Sequence, residues 1–522
     1  MVTVTELTPA APAGPAADGL RRYRLELTVA LNDQRVAGLL LGLLLAVSVV
    51  VALISDTTYD TGDSLSHYLF ARYVPAHPEN LLNAWAKPLF TLLAALPAQA
   101  GFTGIKLFQC GAVAGAAWCA FVVARALRLP WPALAILLCY AAPELFRIQF
   151  SGLTEPLFGL LLTGAVALAI TGRPQASAAL ASWLPFVRSE GVLLFGIWGL
   201  YLLATRRWRA LLWLPLGFVV YSGVGGLVLG DFGWIVRNNP YSYHSPYGSG
   251  AWLHFVEFIP SLVGWVPAAL FGLGGLRVLR RALAPGGQWR QAGFYALLLL
   301  VYGNVVLFFA VHTVLWAFGL FGSFGMTRVL TVVVPLMSVG ALNGLAWLSG
   351  LAPTRTGQRR ILGGGVAAVL LLLFGRDHGY TNERAQFVGW HSNLHWHRDF
   401  YKSTELVLAD SATAWLRRHD PGWRWHRLAY EHSYYPMVLG VDPYDPRSRV
   451  PLTKDWAPHL DGVPVNTYVF WDDWFCPVEA RLPLEMLQKD DRFRLLWHRK
   501  MPRDRFNKTD ETNEAAIFEK IR

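Results

Sequence analysis

Apolar residues in this chain gather into long, nearly charge-free stretches separated by short polar connections, the pattern of membrane-spanning helices. Stretches of about 18 residues or more, enough to cross a bilayer, fall near 36–55, 105–124, 153–171, 210–230, 258–281, 291–317 and 327–349. Shorter ones fall near 131–143, 177–187, 190–204 and 361–375. The expected fold is mainly α: a polytopic helical membrane protein of about eleven transmembrane helices. Residues 1–20, rich in Ala, Pro and Thr and without an apolar core, read as a disordered cytoplasmic tail and not as a cleavable signal peptide. From about Arg376 the composition turns soluble. A helix over 403–418 and strand-like runs at 427–430, 465–471, 493–497 and 515–518 predict a small extracytoplasmic α/β domain over 376–522.

Charge sets the orientation. Arg21, Arg22, Arg24 and Arg35 precede the first span and place that end in the cytoplasm. Whether 86–100 crosses decides everything downstream. If it only lies in the interface, the Arg clusters at 125/128, 206/207/209, 277/280/281 and 355/359/360 share the cytoplasmic side with the N-terminus. If it crosses, the bias reverses and conflicts with the N-terminal cluster, so it is read as interfacial. The C-terminal domain is then outside, and the chain is expected in the inner (cytoplasmic) membrane. With 54% hydrophobic residues and 16% charged, the chain is too apolar for a soluble protein, and its net charge of +11 speaks of topology, with no nucleic acid expected as partner. Cys110, Cys119 and Cys139 sit in apolar stretches and Cys476 stands alone, so no disulfide framework is implied. No Walker, Rossmann or nucleophile-elbow pattern occurs.

The unusual residues gather on the outward loops, at about 56–100, 231–257 and 312–328 and in two short turns between spans. Asp63 lies some eight residues beyond the first span, opens an apolar-patterned surface helix with His67 and Tyr68, and is followed by Trp85-Ala86-Lys87-Pro88. A carboxylate and a lone Lys at the mouth of a membrane span suggest chemistry at the bilayer surface; Asp63 as a plain helix cap is the structural alternative. Glu155 suits a first-turn carboxylate favoured by the helix dipole, and Arg188 and Glu190 at a hinge must neutralise each other or face a polar cavity. Tyr243 and His244 offer ring faces and hydrogen bonds to a sugar or head group, or belong to an ordinary interfacial belt. Arg328, entering a span after a Gly-rich turn, suits a phosphate or snorkels to the surface. His391, His395 and His397 suit an aromatic/His interfacial patch better than a metal site, and Asp472-Asp473 a strand-ending turn.

The order Asp63, Tyr68, Ala71-Arg72, Lys87-Pro88, with Glu155, the Arg188-Ser189-Glu190-Gly191 hinge and Arg328 downstream, resembles the GT-C superfamily of integral-membrane glycosyltransferases. Protein O-mannosyltransferases and lipid A aminoarabinose transferases carry the most similar pattern. The resemblance implies that 21–375 is a GT-C-like catalytic domain taking a polyprenyl-phosphate-linked sugar, with a glycan, lipid or protein acceptor and membrane lipids as partners. It implies Asp63 as general base, joined by Asp60, and inversion at the anomeric carbon. Lys87, Arg328 and Arg188 become phosphate ligands, and His67, Tyr68, Glu155, Glu190, Tyr243 and His244 substrate contacts. No cofactor is expected, although divalent-metal dependence differs across the superfamily. One departure stands out: Ser64 occupies the place where the family often has a second acid. A transporter or flippase of lipid-linked sugars is the alternative, and a non-catalytic component of an envelope polysaccharide system is another. The absence of a convincing internal repeat and the concentration of charge at one face favour transfer chemistry.

Overall fold

The computed structural model describes residues 34–241, 243–284, 292–374, 400–454, 457–503 and 511–522. Among them, five helices are long and apolar enough to cross a membrane: Gln34–Ile54 (α1), Gly101–Ala126, Trp208–Leu229, Gly293–Ala317 and Thr327–Gly350. Pro88–Gln99, Glu155–Ile170 and Ser189–Ala204 are shorter apolar helices. Together they make the chain an integral membrane protein. Two expected spans are interrupted. The 258–281 stretch breaks at Gly264, whose φ of +84° separates Ile259–Val263 from Trp265–Leu283. The 177–187 stretch splits into Pro174–Ala181 and a single 3-10 turn at Leu184–Phe186 around Pro185. The three histidines at 391, 395 and 397 lie outside the described residues.

The loop that follows α1 carries helix α2, Asp63–Arg72, and helix α3, Pro88–Gln99, before α4, Gly101–Ala126. At one end of α1 and α4, Lys106 Nζ donates to Ser55 O at 2.7 Å; at the other, Arg125 Nη1 donates to Gln34 Oε1 at 2.9 Å. The chain between Ser55 and Lys106 thus leaves and rejoins the bundle at the same end. The twelve residues of α3 rise about 18 Å, short of a hydrocarbon core of about 30 Å.

Close helix approach elsewhere depends on glycine. A Cβ on Gly344 would meet Leu270 O at 1.9 Å and one on Gly274 would meet Gly340 O at 2.5 Å, so Trp265–Leu283 and Val334–Gly350 pack backbone to backbone. Tyr302 Oη, donating to Gly340 O at 3.0 Å, fastens a third helix there.

The C-terminal region holds strands β1 (Arg427–Ala429), β2 (Arg449–Val450), β3 (Thr453–Lys454), β4 (Ala457–Pro458), β5 (Thr467–Asp472), β6 (Phe493–Pro502) and β7 (Thr512–Lys520); β3 and β4 pair with each other, and the rest form a mixed sheet in the order β2-β1-β5-β7-β6. Parallel pairs flank β1, and β5–β7–β6 run antiparallel. The strand-like runs in the sequence thus become β1, β5, β6 and β7. Side chains alternate across the sheet. Phe470 and Ile517 face Leu406, Ala409, Ala412 and Leu416 of the helix Thr404–His419, while Val469, Trp471, Ala516 and Phe518 face Leu482 and Leu487. Leu65 of α2 is buried in the first of these two cores, and Tyr68, Leu69 and Ala71 of the same helix are buried in the transmembrane core. One short helix therefore joins both parts.

Candidate active site

At the start of α2 the two acidic residues divide their work. Asp60 Oδ1 accepts the amides of Gly62 at 2.8 Å and Ser64 at 3.2 Å, so Asp60 and not Asp63 satisfies the helix start. Its Oδ2 pairs with Arg328 Nη1. Asp63 is left to meet Arg328 Nη2 through Oδ2 at 2.5 Å, and its side chain is 46% exposed against 16% for Asp60. Burial alone would raise the Asp60 carboxyl, but Arg328 and the two backbone amides outweigh it and hold Asp60 below its ordinary value. For Asp63 the enclosing protein wins. Burial, helped by the neighbouring charges of Asp60 and Glu155 and opposed by Arg328, pushes it up to about 6.

Ser64 explains the departure from the two-acid pattern. Its buried Oγ donates to Thr58 O at 2.7 Å and accepts from Gly152 N at 2.7 Å, and a Cβ on Gly152 would meet Ser64 O at 2.1 Å. A longer acidic side chain would not fit that contact. The second carboxylate beside Arg328 comes from three residues before Asp63 instead.

Arg328 is buried and turned inward, not snorkelling; its Nε lies 3.8 Å from Glu155 Oε1. Glu155, at the first turn of Glu155–Ile170 and 2% exposed, also binds Arg188 Nη1 at 2.7 Å. Arg188 Nη2 reaches Glu190 Oε1 at 2.9 Å, and His312 Nε2 stands 3.7 Å from the same oxygen. The chain of charges Asp63–Arg328–Glu155–Arg188–Glu190 is thus continuous through one buried network. Lys87 closes it differently. Its Nζ donates to two neutral hydroxyls, Ser189 Oγ at 2.9 Å and Tyr241 Oη at 2.8 Å. Burial lowers Lys87 to about 8, although Glu190 pulls the other way. Lys87 has a φ of +64°, as does Tyr59 at +66° beside Asp60; such backbone strain in non-glycine residues accumulates at functional sites. With four carboxylates (Asp60, Asp63, Glu155, Glu190) against three cations (Lys87, Arg188, Arg328), all ionised, the cluster carries one net negative charge.

His67 stacks on Trp85 with ring centroids 4.8 Å apart, and burial drives it down to about 3, so it is neutral. Tyr68 points elsewhere, into the transmembrane core against Phe102. Tyr243 and His244 also stay outside the cluster: Tyr243 packs on Phe321, and His244 pairs through its backbone with Leu320. From that loop it is Tyr241, two residues earlier, that enters. Tyr241, Ser189, Trp85 and His312 were not singled out by sequence. All four lie within or beside motifs that were, and an aromatic-rich loop without periodicity gave no means of telling Tyr241 from Tyr243. Asp472 takes the ordinary turn role, its Oδ1 accepting from Trp474 N at 3.1 Å. Among the described residues no group of three or more His, Cys, Asp or Glu is arranged to hold a metal ion.

No family model and no curated protein matches the chain. Solved structures do. ArnT from Cupriavidus metallidurans bound to undecaprenyl phosphate superposes with a TM-score of 0.52 at 13% identity, over 91% of this chain and 97% of that one. The same protein in the apo state gives 0.53 at 15% identity, over 92% and 98%. At such identities the likeness is one of fold: transmembrane helices and C-terminal sheet together, the chain has the fold of ArnT.

Proposed function

We propose that this chain is a membrane glycosyltransferase that moves a sugar from a polyprenyl-phosphate donor to an acceptor hydroxyl on the extracytoplasmic face, with inversion. The observation that carries the reading is the half-open Asp63 carboxylate beside a buried network that also contains Lys87, a cation with neutral hydroxyl partners. An inverting displacement needs both a base for the acceptor and a cation for the departing phosphate. Asp63 takes the acceptor proton as the acceptor oxygen bonds to the anomeric carbon. The bond from that carbon to the phosphate oxygen breaks, and its electron pair leaves on the lipid phosphate.

Charge accounting assigns the cations. Arg328 and Arg188 are occupied by Asp60, Asp63, Glu155 and Glu190, so their role is to hold the carboxylates in place. Lys87 receives the phosphate, exchanging two hydroxyl contacts for an anion and bringing its own proton affinity back up. Undecaprenyl phosphate bound to ArnT supports this donor class. The shared end of α1 and α4 supports the orientation, because 56–100 then returns to the face opposite the N-terminal arginines.

The test is transfer from a polyprenyl-phosphate sugar by the purified chain in liposomes. Asp63→Asn is expected to lower the rate by about 10²–10⁴-fold. A variant that keeps wild-type transfer removes Asp63 from the base role, and a wild-type chain that transfers from no such donor removes the reading.

A further inference from the structure

The loop that carries Asp60 and Asp63 is held from above by the C-terminal region. His432, 2% exposed, directs Nε2 at Thr61 O, 3.0 Å away, and since a carbonyl can only accept, the ring must carry its proton on that nitrogen. Thr61 sits between the two acids. Phe475 stacks on the opposite face of the contact: its ring lies 4.6 Å from that of His432 at an interplanar angle of 19°, and a Cβ on Gly62 would meet its Cε1 at 3.3 Å. Ser433 Oγ, next to His432, is 2.8 Å from Ser66 Oγ one turn into α2. Beyond the end of the same helix the two parts meet again, Tyr73 Oη donating to Val441 O at 2.9 Å and His77 Nε2 lying 2.9 Å from Asp442 Oδ2.

These contacts differ in what they can control. The Tyr73 and His77 contacts dock the domain at the far end of α2, ten and fourteen residues past Asp63. The His432 contact fixes a peptide within two residues of each acid, in the stretch where Asp60 binds the Gly62 and Ser64 amides. A hydrogen bond to that partly buried carbonyl restricts the rotation of the loop, and with it the direction of both carboxylates.

We propose that His432 is a positioning residue: through its bond to Thr61 and its stack on Phe475, the C-terminal domain sets the geometry of the Asp60–Asp63 loop. The inference rests on the proposed transferase reading for its catalytic consequence, though not for its structural one. His432 itself touches no reacting group; it acts through the loop.

The test uses the full chain in nanodiscs, with two readouts. The first is amide hydrogen exchange across 60–66, which needs no substrate. His432→Leu is expected to speed exchange there roughly tenfold, the loss of one buried hydrogen bond, and Tyr73→Phe to leave that segment alone. The second is transfer kinetics: His432→Leu lowers kcat roughly tenfold with KM for the donor unchanged, and His432→Gln, whose amide nitrogen can donate from the same place, restores both readouts. If His432→Leu does not fold, Phe475→Leu replaces it, keeping bulk against Gly62 without the stacked ring. Unchanged exchange across 60–66 overturns the proposal. So does an equal effect from Tyr73→Phe, which would mean generic docking. A wild-type chain without transfer would sink the catalytic reading, while the exchange experiment would still decide this one.

Discussion

If Asp63 is the base and Lys87 the phosphate ligand, as proposed, the two bracket the pH range in which transfer can run. The base must be deprotonated and the phosphate-binding amine protonated, so transfer by the apo-enzyme-limited step should rise as pH passes about 6 and fall as it passes about 8. A bell-shaped kcat/KM profile is the check, and a profile flat from pH 5 to 9 would contradict the assignment. The sign of the stability effect follows from the same shift. Asp63 moves from 3.8 to about 6 on folding, so the protonated form is favoured and ionisation costs stability as pH rises through that window. Asp63→Asn, for all its loss of transfer, should therefore melt no lower than wild type at pH 7. Arg188 behaves oppositely: Arg188→Met strands Glu155 and Glu190 in a buried setting, a loss of about 3–5 kcal/mol read as a fall in melting temperature. At this scale the sequence was informative where charge is rare. Asp63, Lys87, Glu155, Arg188, Glu190 and Arg328 stand out against apolar surroundings, and the structure gathers them. It was silent where one polar residue resembles another. Ser64 read as a missing acid, but its hydroxyl fastens α2 to Gly152, a contact 88 residues away along the chain.

At the scale of elements, α2 is the piece on which the site turns, since Leu65 is buried in the C-terminal core and Tyr68, Leu69 and Ala71 in the transmembrane core. Its apolar positions predicted a surface helix, and helix it is, but no pattern within ten residues could say that two cores would share it. The long apolar runs were legible for a simpler reason: continuous hydrophobicity over a bilayer's thickness admits few other conformations. Where the reading slipped, as over 258–281 and 177–187, a Gly or Pro inside an apolar run broke the helix without changing its hydropathy. The glycines that permit close packing are testable. Gly344→Ala puts a methyl 1.9 Å from Leu270 O, and the forced separation of the two helices should cost about 1–3 kcal/mol. The measurement is the melting temperature in detergent; Gly363→Ala, where a Cβ meets nothing within 4 Å, is the control.

For the whole molecule, the hydrogen bonds that join α1 and α4 at both ends make 56–100 a re-entrant excursion on one side, and the proposed topology, drawn from the Arg bias, has that side outside. A reporter fused after Arg522 should be active only outside the cytoplasm. The likeness in fold to ArnT covers 91% of the chain, transmembrane helices and C-terminal sheet together. The proposed reading stands or falls with lipid phosphate held by Lys87 near Asp63, and a structure of the full chain in nanodiscs with undecaprenyl phosphate decides it. Phosphate density is expected within hydrogen-bonding distance of Lys87 Nζ, displacing Ser189 or Tyr241, on the side that Asp63 faces. Phosphate at mid-bilayer, or at the membrane face where Arg125 and Gln34 meet, would contradict it.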